Sequence, residues 1–151
     1  MKKILMTLML LISSVAFADE PVSKSYFGSV AISGVDTIAY HQLKGKKDNQ
    51  AMMGNSRYSV EWKGANWYFV SQQSAEKFAA DPARYQPNYN GFCANALSLG
   101  EGLIKTDGSV WAFFDDQLFL FYSEAGRQRW LKGDWKSYNR QAKKAWLQQL
   151  H

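Results

Sequence analysis

Few side chains in this sequence have the chemical range to act on another molecule. The single thiol, Cys93, lies in the run Gly91-Phe92-Cys93-Ala94, and the imidazoles are His41 and His151. A thiol enzyme needs a base within hydrogen-bond reach of its sulfur. His41 is the only serious candidate, because His151 is the last residue. No nearby carboxylate pair stands out for acid–base work, and neither a phosphate-binding glycine loop nor a zinc-type ligand spacing occurs. Soft-metal chemistry is better represented. Cys93, His41, Met52 and Met53 offer the thiolate, imidazole and thioether donors that suit copper(I). The aromatic-rich stretch from Tyr85 to Phe92 would wall a pocket beside the thiol. Each of these residues also has a plainer use. A lone cysteine packs as a small buried hydrophobe, a methionine pair fills gaps, and a helix histidine bonds to backbone or faces water.

Hydrophobic periodicity gives the elements that must position these residues. Asp36 can accept from free N–H groups at a helix start, so a short helix is expected over about Thr37 to Lys44, carrying His41. A polar loop, Gly45 to Gly54, holds the methionine pair. Tyr58, Val60 and Trp62 then alternate with polar residues, Lys63 to Asn66 supply turn chemistry, and Trp67 to Val70 return as a second strand. Ser71 caps a helix over Gln72 to Ala80, with Ala75, Phe78 and Ala79 on its inner face and Asp81-Pro82 as its stop. Phe92 to Leu99 fits a strand or a helix equally. Asp107-Gly108 reads as a hairpin turn between a weak strand, Leu103 to Lys105, and a strong one, Val110 to Phe114. Another strand, Gln117 to Tyr122, and a short helix, Glu124 to Leu131, follow. Asp134 caps a final amphipathic helix whose apolar side is Trp135, Tyr138, Ala142, Ala145, Trp146 and Leu150. The fold class is α+β: a small antiparallel sheet built from hairpins, packed with short helices and a longer C-terminal one.

The first residues read as an export signal. Lys2 and Lys3 precede an apolar run from Ile4 to Ile12, and Ala16-Phe17-Ala18 offers the small-x-small pattern of a peptidase site. The run is shorter than the roughly 20 residues a membrane anchor needs. With no twin arginine, the general secretory route to the periplasm is expected. Residues 19–151 then form one domain, with a core over about 34–122, helices over 124–150 and a loose polar arm from Asp19 to Ser25. The 151-residue chain has 18 basic and 13 acidic residues, a mild excess that includes Lys2 and Lys3. Neither that balance nor an exported location points to a nucleic-acid partner.

The hairpin-plus-helix stretch from Tyr58 to Ser71, followed by Phe78 and Asp81-Pro82-Ala83-Arg84-Tyr85, resembles the YHS domain. Gly34-Val35-Asp36-Thr37-Ile38-Ala39-Tyr40 and the run from Tyr85 to Ala94 resemble its longer, exported form. Compact members of that family, some attached to heavy-metal pumps, place cysteines before the hairpin and in a Cys-Ser-x-x-Cys stretch after it. Here that stretch is Val70-Ser71-Gln72-Gln73-Ser74, so the compact form's metal ligands are not present.

Three functions follow as expectations. One is an exported YHS-like binding module for a soft metal ion such as copper, or another small ligand, with Cys93, His41, Met52 and Met53 as the metal donors. Another is a non-catalytic periplasmic interaction or accessory protein. The weakest is a thiol-dependent enzyme using Cys93, since nothing in the sequence fixes a base beside it. Processing is directly testable. The mature chain should begin at Asp19, and intact mass of the exported protein checks this; a product retaining residues 1–18 would contradict it.

Overall fold

The computed structural model describes residues 20–26, 28–46 and 50–151. The expected cleavage site at Ala18 and Asp19 lies outside the described residues. The architecture is α+β, with two separate two-stranded antiparallel sheets and short helices between and after them.

Local capping chemistry sets most of the boundaries. Helix α1 (Thr37–Leu43) begins where Asp36 Oδ1 accepts the Ile38 and Ala39 N–H groups at 2.7 and 3.1 Å. Strands β1 (Asn55–Trp62) and β2 (Ala65–Phe69) form the first hairpin. Its two turn residues, Lys63 and Gly64, both take positive φ, as a tight turn matching strand twist requires. Gly54 leads into β1 so close to β2 that a Cβ there would lie 2.3 Å from the Tyr68 carbonyl carbon. No larger residue fits.

Ser71 caps α2 (Gln72–Ala80), and Asp81 caps the single turn α3 (Pro82–Tyr85) with proline at its first position. A left-handed turn at Tyr89 and Asn90 then leads to α4 (Ala94–Ser98). The second hairpin pairs β3 (Val110–Phe114) with β4 (Gln117–Phe121) through Asp115-Asp116, both again at positive φ. Helices α5 (Glu124–Lys132) and α6 (Trp135–Gln149) are capped by Ser123 and Asp134.

The β3–β4 hairpin divides two hydrophobic cores, because its side chains alternate between faces. Trp111, Leu118 and Leu120 join the first core with Ile32, Ile38, Tyr40, Trp67, Phe69 and Phe78, and Phe113 packs at its edge. Ala112, Phe114, Phe119 and Phe121 join the second with Phe92, Leu97, Trp130, Ala142 and Trp146. Phe78 stacks on Trp67 at 5.3 Å and on Phe69 at 5.0 Å. Trp130 sits at the centre of the second core, within 5.3–5.7 Å of Phe114, Phe119 and Phe121. The apolar stripe expected on the last helix is seated there.

The structure corrects five local expectations. Leu103–Lys105 is not a strand, and Asp107-Gly108 does not close a hairpin. Asp107 instead accepts the Ser109 N–H and hydroxyl, and the Gly108 carbonyl accepts the Tyr40 hydroxyl at 2.6 Å. Gly108 has φ +81°, and a Cβ there would meet Val35 and Tyr40 at 2.8 Å, so the residue serves close packing. The arm is not loose: Val22 and Ser23 are buried, and Ser23 N–H donates to the Asn90 carbonyl at 3.0 Å. The core accordingly starts at Val22 rather than near Gly34. Ala79 is exposed on α2, and the ambiguous 92–99 stretch is the helix α4.

Phe78 is fully buried, so Phe78→Ala should destabilise the fold by about 3–5 kcal/mol, the usual cost of emptying a buried phenylalanine site. Urea unfolding of the two proteins measures it. A change below about 1 kcal/mol is the response of an exposed residue and would contradict the packing described.

Candidate functional site

The four proposed soft donors are not assembled around the thiol. Cys93 is buried and stands at the N-terminus of α4, where its sulfur accepts the Ala96 N–H at 3.4 Å and the Tyr122 N–H at 3.3 Å. Its own N–H donates to the Ile104 carbonyl at 2.8 Å. The sulfur therefore acts as a helix cap and ties α4 to the end of β4.

His41 lies on the other side of the β3–β4 hairpin. Its ring meets Tyr85 and Phe113 edge-on at 5.2 and 5.0 Å, and Phe113 packs at the first core while α4 packs at the second. Burial pushes the imidazole pKa down to about 4, and the cations Arg84, Lys77 and Lys44 reinforce this against a backbone hydrogen bond to Tyr85. His41 is thus neutral at physiological pH. Its buried Nε2 has no partner among the described residues. Met52 and Met53 stand at the entry to β1, where the Met52 carbonyl accepts the Asp36 N–H and Met53 bridges to Val35; both side chains are exposed. Among the described residues, no group of three or more His, Cys, Asp or Glu is placed to hold a metal ion. His41 thus packs on residues at the edge of the first core, whereas Cys93 is bonded at the head of α4, which packs in the second, and the sulfur's hydrogen-bond partners are the Ala96 and Tyr122 N–H groups rather than an imidazole.

The stretch expected to wall a pocket does so, but away from Cys93. Gln86 to Asn90 form one side of an open cleft of about 620 Å³, with α6 (Asn139, Lys143, Trp146) opposite and Asp116 to Leu118 from the β4 entry between them. Its wall is built on Asn90, which is buried in the left-handed conformation that asparagine tolerates. The Asn90 amide donates to the Pro21 carbonyl at 2.9 Å and to Glu20 at 3.2 Å, and its oxygen accepts from Lys63 at 3.2 Å. Tyr89 is also left-handed, a costly conformation for an aromatic residue. Its hydroxyl donates to Asn139, and its ring meets Phe119 and Trp146 at 6.1 and 6.0 Å. Burial raises the Tyr89 pKa above its ordinary value, so the hydroxyl stays protonated.

Both carboxylates of the cleft are ion-paired. Glu20 meets Lys63, whose hydrogen bond holds its pKa below the ordinary carboxylate value, and Asp116 meets Lys44. The lining contains no histidine or cysteine. The arrangement can hold a polar molecule by hydrogen bonds and charge, but it offers no unpaired carboxylate, imidazole or thiol to move a proton. The amides and cations of this cleft form no motif in the sequence, because asparagine and glutamine carry no spacing signature. The available clue was the density of amides and rings in Tyr85-Gln86-Pro87-Asn88-Tyr89-Asn90. Together, fold and site define an α+β protein with a polar cleft beside its C-terminal helix. No protein-family model matches the chain, and no curated protein or solved structure matches it.

The capping role of Cys93 predicts an order of variants. Serine is a preferred cap, so Cys93→Ser should retain the cap and lose little stability. Cys93→Ala leaves two N–H groups without their acceptor and should cost about 1–3 kcal/mol. Denaturant melts of both variants provide the check, and equal losses would contradict it.

Proposed function

We propose that the chain is an exported, YHS-like binding module that holds a small polar ligand in the cleft between the Gln86–Asn90 wall and α6. The observation carrying this reading is the cleft itself. Its volume, about 620 Å³, suits a small molecule, and its wall is held in strained backbone by bonds to three other parts of the chain. Strained residues of this kind persist only where the surroundings over-determine them, and they cluster at ligand sites. Binding is preferred to catalysis because both cleft carboxylates are ion-paired. Small-ligand binding is preferred to copper because α1, which carries His41, packs in the first core and α4, which Cys93 caps, packs in the second. The export signal of residues 1–18 supports a periplasmic location. Among the described residues no helix is long and apolar enough to cross a membrane.

The test uses protein isolated from its native host and examined by native mass spectrometry. A non-covalent small molecule should accompany the chain and leave on denaturation. Gln117 lies exposed in the cleft lining, so Gln117→Trp should displace that molecule while the fold is retained. Retention of the molecule by Gln117→Trp would place its site elsewhere, and bare protein in both preparations would overturn the reading.

A further inference from the structure

The hydrogen-bonding capacity of the cleft is unevenly spent. Resting on the reading that this cleft is the ligand site, we infer that its ligand is anionic and rich in acceptors, a small molecule presenting carboxylate or phosphate oxygens. Two of the lining amides, Gln86 and Asn139, have their acceptors taken by the fold and their donors left over. Gln86 Oε1 accepts the Trp62 indole N–H at 3.0 Å, and since that group can only donate, the amide orientation is fixed and Gln86 Nε2 remains available. Asn139 Oδ1 accepts the Tyr89 hydroxyl, which leaves Asn139 Nδ2. Asn88 is turned the other way, its Nδ2 donating to the Leu118 carbonyl at 3.0 Å, and the Asn90 amide is spent on both sides, on Pro21 and Glu20 through its NH₂ and on Lys63 through its oxygen.

Charge has the same bias. Of the cleft's charged groups, Glu20 is neutralised by Lys63 and Asp116 by Lys44. Arg84 and Lys143 line the same cleft from α3 and α6, and neither has a carboxylate partner among the described residues. Two unpaired cations with amide donors between them match an oxyanion, since a guanidinium and an ammonium bond carboxylate or phosphate oxygens with charge assistance. A neutral sugar would use acceptors as well as donors and would gain nothing from the cations. The cations arrive from separate elements, so the excess charge belongs to the cleft rather than to one helix face.

The experiment is an NMR titration of uniformly ¹⁵N-labelled full-length mature chain, following the side-chain amides of Gln86 and Asn139. The probes are citrate, glucose 6-phosphate and glucose. Citrate or glucose 6-phosphate should shift these resonances saturably, and the stronger of the two identifies carboxylate or phosphate as the source. Binding should weaken at least tenfold in the double variant Arg84→Gln, Lys143→Gln and fall with added salt. Both residues are exposed, so the variant keeps the fold. Saturable shifts with glucose alone, or anion binding unchanged in the double variant, would overturn the anionic assignment while leaving the cleft as a ligand site. Saturable shifts confined to residues outside the cleft would overturn both readings. The absence of any saturable shift with either anion would overturn the assignment, with the native-extract measurement still deciding the cleft.

Discussion

The buried carboxylate of Asp36 is the junction on which the rest of the chain is hung. It is wholly inaccessible to water, yet it accepts three backbone N–H groups: Ile38 and Ala39 at the start of α1, and Val70, at 2.9 Å, just past the end of β2. Its own N–H donates to the Met52 carbonyl, and Gly54 N–H returns a bond to the Gly34 carbonyl two residues before it. One side chain thereby fixes a helix start, the entry to the first hairpin and the exit from it. Desolvation raises its pKa above the ordinary value despite the three donors. Burial here is therefore expensive, and the donors offset only part of that cost. From this point α1 delivers Ile38 and Tyr40 into the first core, and the Tyr40 hydroxyl reaches the Gly108 carbonyl ahead of β3. The second hairpin is thus located by a chain of contacts that begins at Asp36.

The second hairpin in turn decides which chemistry is possible. With its two faces in different cores, it leaves α1, which carries His41, packed in the first and α4, which Cys93 caps, packed in the second. The same division creates the cleft. The segment from Pro82 to Gly91 must pass from α2, packed in the first core, to Phe92 and α4 in the second. It does so across the exposed start of β4, beneath the flank of α6. A polar connection held over a hairpin edge leaves space on its outer side, and that space is where the amides, Arg84 and Lys143 meet.

Much of the fold was legible in the sequence because local rules and packing agree there. Ser71, Asp81, Asp134 and Asp36 occupy the cap positions their side chains favour. The apolar side of the Tyr58–Trp62 alternation is half-buried against the first core, and the stripe on the last helix is seated in the second. The failures have equally specific causes. Asp107-Gly108 has hairpin-turn chemistry, but here the aspartate makes a local turn and the glycine serves close approach to Tyr40 and Val35. The arm from Glu20 to Ser25 looked unstructured because its residues are polar. Its order comes from distant partners, Asn90 at the Ser23 amide and Thr106 at the Ser23 hydroxyl. The site was legible only as a local aromatic and amide density. Which amides face one another across a cleft depends on contacts from Tyr89 to Asn139 and from Glu20 to Asn90, and no pattern within a single segment encodes them.

The conformation of Tyr89 and Asn90 links the fold's energetics to the cleft's capacity to bind. Tyr89 in the left-handed region costs on the order of 1–3 kcal/mol, and Asn90 beside it costs less because asparagine tolerates that conformation. Release would relax this strain only by breaking bonds in three directions: Asn90 to the N-terminal arm, Lys63 to Asn90, and Tyr89 to α6. Each tether also fixes an element that lines the cleft. The wall is consequently set before any ligand arrives, and little ordering remains to be done on binding. Preorganisation of this kind reduces the entropic cost of association. The strain belongs to the resting protein and is already offset by its own hydrogen bonds, so a ligand that uses the remaining donors need not supply the energy to shape its site.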